Sequence, residues 1–140
     1  MTADAPLLAL DTNVLVRLLV EDDPAQAKRA RDAVTRGVRD AEGKAAFFVP
    51  AVALCELVWV LDSRYRIPKA EIVSALRGLL LARGLEVEDG AAARAALDRY
   101  ERGRGDFADY LMREAARRAG CPVVLTFERK LLREEGFRAP

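Results

Sequence analysis

Residues 7–17, Leu-Leu-Ala-Leu-Asp-Thr-Asn-Val-Leu-Val-Arg, constrain the fold more than any other stretch of the chain. Four apolar residues run straight into Asp11, Thr12 and Asn13, and a second apolar run follows at once. A short apolar run ended by cap-forming residues predicts a buried strand that turns directly into a helix. Asp11 then stands at the carboxyl end of that strand, where open α/β sheets bind their ligands. Taken alone the acid reads first as a helix cap, since Asp, Thr and Asn all cap helices. Chemistry at this position depends on other acids reaching the same edge.

The rest of the chain alternates in the same manner. Helical spacing covers residues 12–20, with Leu15, Leu18 and Leu19 on the buried side. Glu21-Asp-Asp-Pro24 is a stop and a restart, its acids suited to a helix start and its proline to the first turn. A mostly polar helix follows over 25–40, then a strand over 45–49 closed by Pro50. A strongly apolar helix covers 51–65 and an amphipathic one 69–83. Residues 85–88 alternate as a strand with one wet face, and helices are predicted over 90–102 and 106–119. A fourth strand over 121–125 leads to a short helix ending near Glu135, with residues 136–140 as an edge segment or a tail. Strands alternating with helices predict a three-layer α/β/α sandwich around a mainly parallel sheet of four or five strands. Residues 1–140 read as one domain.

Composition removes several kinds of chemistry. The 140 residues are 51% hydrophobic and 32% charged, the balance of a globular domain rather than a disordered one. With 23 basic and 22 acidic residues, the charge neither demands nor excludes a nucleic acid. There is no histidine, which removes the commonest general base and the commonest nitrogen ligand for zinc. Cys55 and Cys121 form no CxxC pair and read as buried thiols of a reducing compartment. The opening Met-Thr-Ala-Asp-Ala-Pro lacks the pattern of a signal peptide, and no apolar run is long enough to span a membrane, so the expected location is cytoplasmic.

Four acids stand apart from the solvated ones. Glu56 is the only acidic or basic residue between Val49 and Leu61, with Val52, Ala53, Trp59 and Val60 as helical neighbours. A carboxylate on such a surface calls for a cation, a donor or water; a buried pair with an arginine explains it as well as a metal does. Asp106 and Asp109 lie one turn apart, with Arg113 and Arg117 on the same face, which also describes a salt-bridge ladder. Asp109 borders an apolar arc of Ala108, Leu111, Met112, Ala115 and Ala116, while Asp106 suits an N-cap. Thr126-Phe-Glu128 repeats the opening logic of strand, hydroxyl and acid, and shares an edge with Asp11 if the two strands are neighbours. Together Asp11, Glu56, Asp109 and Glu128 form an oxygen-only donor set of the kind preferred by hard divalent ions such as Mg²⁺ or Mn²⁺. Such sites hydrolyse phosphate esters with metal-activated water. In that arrangement Thr12 and Asn13 take over the helix cap.

In order along the chain, Leu10-Asp-Thr-Asn-Val-Leu-Val-Arg17, Pro50-Ala-Val-Ala-Leu-Cys-Glu-Leu-Val-Trp-Val-Leu61, Gly105-Asp-Phe-Ala-Asp-Tyr-Leu111 and Val124-Leu-Thr-Phe-Glu-Arg-Lys-Leu131 resemble the four blocks of the PIN domain. The form they resemble is that of the VapC-type toxins of bacterial toxin–antitoxin pairs. The resemblance implies a Mg²⁺- or Mn²⁺-dependent endoribonuclease acting on single-stranded RNA. It implies Asp11, Glu56 and Asp109 as metal-binding catalytic acids, Asp106 as an additional acid, and Glu128 where the family usually has Asp. Thr126 matches a supporting hydroxyl, with Thr12 and Asn13 in similar roles. It also implies a homodimer silenced by an antitoxin protein.

An acidic pocket repels RNA, so phosphate contacts must come from basic residues around it. Candidates are Arg17, Arg64, Arg66, Arg104, Arg113, Arg129 and Lys130, each equally a solvated or ion-paired side chain. Two other readings compete: a PIN-like RNA-binding or interaction module without useful catalysis, and a phosphoaspartate protein. An aspartyl-phosphate phosphatase wants a second acid two residues after Asp11, where Asn13 stands. A receiver wants paired acids near its start and a lysine after a late strand, and of these only Lys130 fits.

Overall fold

Prolines and glycines punctuate the chain, and the computed structural model, which describes residues 6–140, breaks where they fall. The signal-peptide expectation rests on residues 1–5 and lies outside the described residues. The architecture is α/β, with every strand pairing parallel. Two compact units make up the chain, one ending at Gly90 and the other spanning Ala91–Pro140.

In the first unit the order is β1 (Leu8–Ala9), α1 (Thr12–Leu19), α2 (Pro24–Asp40), β2 (Phe47–Val49), α3 (Ala51–Ser63), α4 (Lys69–Leu81) and β3 (Leu85–Val87). β2 is the central strand of the order β1-β2-β3, with Phe47 paired to Leu8 on one side and to Leu85 on the other. Parallel neighbours need a crossover, and the helix pairs α1–α2 and α3–α4 supply them. α2 packs on β2, α4 on β3, and α1 on both α2 and α3. Leu15, Val49, Leu57 and Leu76 are wholly or almost wholly buried here, each contributing roughly 1.5–3 kcal/mol. The buried stripe of α1 is Thr12, Leu15 and Val16. Leu18 and Leu19 are only half-buried: Leu18 lies off this stripe, and Leu19 lies in the helix's last turn. α3 follows Pro50, which has no side-chain acceptor, so the Ala51 N–H donates to Glu88 Oε2 at 2.8 Å.

The second unit carries α5 (Gly90–Arg102), α6 (Phe107–Arg118), β4 (Val124–Leu125), a 3₁₀ turn (Arg129–Leu131) in place of the expected short helix, and β5 (Phe137–Arg138). The carboxyl-terminal edge segment is real: Val124 pairs with Phe137 and Leu125 with Arg138. Tyr100 packs edge-on to Phe107, with centroids 6.2 Å apart, and Tyr110 does the same to Phe137 at 6.4 Å. These rings set the orientation of α6. Its buried face is Phe107, Tyr110, Arg113 and Glu114 rather than the expected arc of Ala108, Leu111, Met112, Ala115 and Ala116. An aromatic ring buries far more surface than an alanine, so the rings turn inward and carry Arg113 with them.

Among the described residues β1 is hydrogen-bonded to β2 alone and β4 to β5 alone, so the strands that precede Asp11 and Glu128 are not ladder neighbours. The thiols also depart from expectation: Cys121 is exposed in the loop after Gly120, and Cys55 is half-buried. No described helix is long and apolar enough to cross a membrane.

Candidate functional site

In the first unit the acids meet at the start of α1. Asp11 has extended backbone (φ −73°, ψ 156°) and is itself the N-cap, its Oδ1 accepting from the Thr12 N–H at 2.8 Å. Thr12 and Asn13 therefore do not cap the helix. Thr12 is buried, and its hydroxyl donates to Glu56 Oε2 at 3.2 Å, tying the start of α1 to the middle of α3. Asn13 is exposed and lines a cavity of about 580 Å³ together with Leu8, Leu10, Arg17, Arg29 and Phe47.

Glu56 does lie among apolar neighbours, but that surface is open. Val52 and Trp59, a turn to either side, are 65% and 67% exposed, because α3 buries Ala53, Leu54, Leu57, Val58 and Leu61 instead. The expected arginine partner does not appear. Among the described residues neither Asp11 nor Glu56 has a basic counter-ion. Two carboxylates held by one residue, Asp11 through the Thr12 N–H and Glu56 through the Thr12 hydroxyl, and left unneutralised suit a cation.

The acids before α2 behave as helix-start charges. Asp23 caps through the Gln26 N–H at 3.1 Å, and Glu21 pairs with Arg31 at 2.7 Å. Asp22 accepts from the Tyr65 hydroxyl at 2.6 Å and from Arg17 at 2.8 Å. The Tyr65 hydroxyl, with the Arg17 charge, holds the Asp22 carboxyl below its usual range. Arg17 also bonds Gln26, so it is engaged in structure rather than free for a phosphate.

In the second unit Asp106 is the exposed N-cap of α6, and its N–H donates to Asp109 Oδ2 at 2.8 Å. Lys130 Nζ stands 3.6 Å from Asp106 Oδ1, and so partly neutralises that acid. The Asp109–Arg113 ion pair does not form. Arg113 is 9% exposed, with Nε and Nη1 unpaired among the described residues, and is not presented to an RNA phosphate. Glu128 is exposed; its N–H donates to Thr126 Oγ1 at 3.0 Å, so the threonine shapes the turn that carries the acid. Arg64, Arg66, Arg104 and Arg129 are exposed.

Tyr110 is a residue whose role the sequence concealed. Its hydroxyl donates to the Glu134 carboxylate (Oε1 at 2.7 Å) and accepts from the Gly105 N–H at 2.9 Å. Burial, together with the Glu134 charge, pushes its pKa up to about 12. A Cβ on Gly103 would fall 1.9 Å from that hydroxyl, so the glycine lets the loop close over it. This bolt fixes the loop that runs into Asp106. Its only legible sign is the Gly-Arg-Gly spacing, since Glu134 lies 24 residues from Tyr110.

The structure thus brings the acids together in pairs, Asp11 with Glu56 and Asp106 with Asp109. Among the described residues no group of three or more Asp, Glu, Cys or His side chains is gathered closely enough to hold a metal ion. The donors are carboxylate and hydroxyl oxygens throughout, a chemistry that fits a hard divalent ion.

No match is found among curated proteins. A family model described as PIN domain matches residues 8–135, a span that takes in both acid pairs and Glu128. Such domains are typically nucleases and generally bind divalent metals such as Mg²⁺. By that match over nearly its whole length, the chain belongs to the PIN domain family.

Proposed function

We propose that the chain is a Mg²⁺- or Mn²⁺-dependent endoribonuclease that cuts single-stranded RNA, acting in the cytoplasm as the toxin of a toxin–antitoxin pair. The observation that carries the reading is the Asp11–Thr12–Glu56 link: two acids without basic counter-ions, one bonded by the Thr12 N–H and the other by its hydroxyl, where a strand turns into a helix. In this reading Asp11, Glu56 and Asp109 would hold the ion, and Glu128 or Asp106 would hold a second ion or orient the attacking water. Residues 1–140 act as one domain in this reading. A divalent ion bound by such acids supplies positive charge at the phosphate and a lowered pKa for water.

The chain's own residues do the positioning. Thr12 Oγ1 aims the Glu56 carboxylate, the helix start orients Asp11, and the Asp106 N–H aims Asp109. With no histidine in the sequence, proton transfer from water falls to carboxylates and solvent. Arg104 and Arg129, both exposed, are the basic residues suited to phosphates around the acids. A homodimer and an antitoxin partner belong to the same proposal; a small neighbouring reading frame with a DNA-binding start would support it.

The test is cleavage of single-stranded RNA with Mg²⁺ or Mn²⁺ by wild type, Asp11→Asn and Glu56→Gln. Each variant is expected to lose on the order of 100-fold or more. Equal cleavage by all three overturns the reading. A second reading, a PIN-like RNA-binding module without catalysis, draws on the Lys130 ammonium near Asp106 and on Glu128 in place of Asp. Mn²⁺ binding that is lost in Asp11→Asn argues against it.

A further inference from the structure

We infer that Phe127 is a stacking platform for a base of single-stranded RNA, with Arg129 and Arg138 taking the flanking phosphates; this rests on the RNA-directed reading above. Phe127 is 87% exposed, more than any other large apolar side chain among the described residues. The ring is not on a loose loop. The Thr126 N–H continues the β4–β5 ladder by donating to the Arg138 carbonyl at 2.9 Å, and the Thr126 hydroxyl accepts from the Glu128 N–H. Phe127 is therefore held out to solvent between two anchored residues.

Its surroundings have the character of a nucleic-acid surface. Leu125, two residues earlier at the end of β4, is 57% exposed. Arg138 is the register partner of Leu125, and parallel partners point to one side of the sheet. Arg129 follows two residues after Phe127 and is exposed. Among the described residues neither Arg129 nor Arg138 has an acidic partner. An aromatic face between free guanidinium groups provides both stacking and phosphate neutralisation.

A second copy of the chain fits this patch poorly. Two exposed apolar side chains fall far short of the roughly 800 Å² per partner that a stable interface buries. A two-fold contact there would also press like-charged arginines against each other. A base on Phe127 sets the strand beside Glu128, one residue along, which is where the proposed chemistry needs it. Every base has a π-face, so this platform grips the strand without choosing its sequence.

The test uses the full chain and a fluorescein-labelled random-sequence 12-nucleotide RNA pool, with anisotropy read in EDTA so that nothing is cut. Phe127→Ala and Phe127→Leu are expected to weaken binding about ten-fold, while Phe127→Trp binds at least as tightly as wild type. The salt slope should be unchanged in Phe127→Ala and shallower by about 0.7 in Arg138→Gln. Circular dichroism melts should overlay, since the ring supports no core. Leucine binding as well as phenylalanine would mean plain apolar burial, and overturns the platform. So does wild-type affinity in Phe127→Ala, absence of any RNA binding by wild type, or a wild-type dimer that Phe127→Ala turns into a monomer. Wild type that binds the pool yet cleaves no RNA with Mn²⁺ sinks the nuclease reading and leaves the platform standing. Wild type that cleaves while Phe127→Ala binds normally sinks the platform alone.

Discussion

Arg113 lies inside the second unit with two nitrogens unpaired, and Gly136 is the residue that leaves room for it. At Gly136 the backbone has φ +89°, and an added Cβ would sit 1.7 Å from Arg113 Nε. Gly136→Ala therefore combines a left-handed backbone with a clash, and should cost roughly 2 kcal/mol or more in a urea melt. Arg113→Met should move the other way, raising stability by about 1 kcal/mol, because an unpaired buried guanidinium is replaced by an apolar chain of similar length. Tyr110 supplies a pH test. Its folded pKa of about 12 lies above the ordinary tyrosine value near 10, so the folded state keeps the proton. The associated stability is complete below pH 10 and fades as pH climbs towards 12. Absorbance at 295 nm should show an ionisation near pH 12 that disappears in Tyr110→Phe. At this scale the sequence was readable where a residue's partner is close in the chain. Asp23 and Asp106 are caps that reach three residues along the chain. Tyr110 with Glu134, and Glu88 with Ala51, span 24 and 37 residues, and no local pattern announces them.

α3 shows how an element can depend on an acid that its own sequence lacks. Pro50 leaves the helix start without a side-chain cap, and the Glu88 carboxylate, just past β3, accepts from the Ala51 N–H instead. Glu88→Ala should cost about 1 kcal/mol, whereas Glu88→Gln, which keeps an acceptor, should cost less; thermal melts of the two variants separate these outcomes. Helix ends were foreseen to within two residues because Pro24, Pro50, Pro68 and Gly120 mark them chemically. Strand ends were foreseen less well. Cys121, Pro122 and Val123 continue the apolar look of β4 but make no ladder bonds in it. The buried face of α6 departs from its helical wheel because the wheel counts apolar positions equally, while packing weights them by size.

For the whole molecule the expected outcome is a stability that answers to metal. An ion that binds only the folded chain stabilises it by about 2.7 kcal/mol at one hundred times its dissociation constant. Mn²⁺ should therefore raise the melting temperature by several degrees and EDTA should reverse it, with no shift in Asp11→Asn or Glu56→Gln. A melting curve indifferent to Mn²⁺ would contradict the metal assignment. The α/β class was legible in the alternation of strands and helices, and so was the pool of acids. How those acids pair was not, since pairing depends on the Thr12 hydroxyl and the Asp106 N–H, which belong to three-dimensional contacts. The capping role of Asp11 has a consequence for inheritance. Asparagine caps a helix as well as aspartate does, so a single base change at this codon would remove the proposed metal-binding carboxylate without disturbing the fold. If the proposed function holds, lineages of this chain can accumulate copies that fold but no longer cut, and selection on stability alone would never remove them.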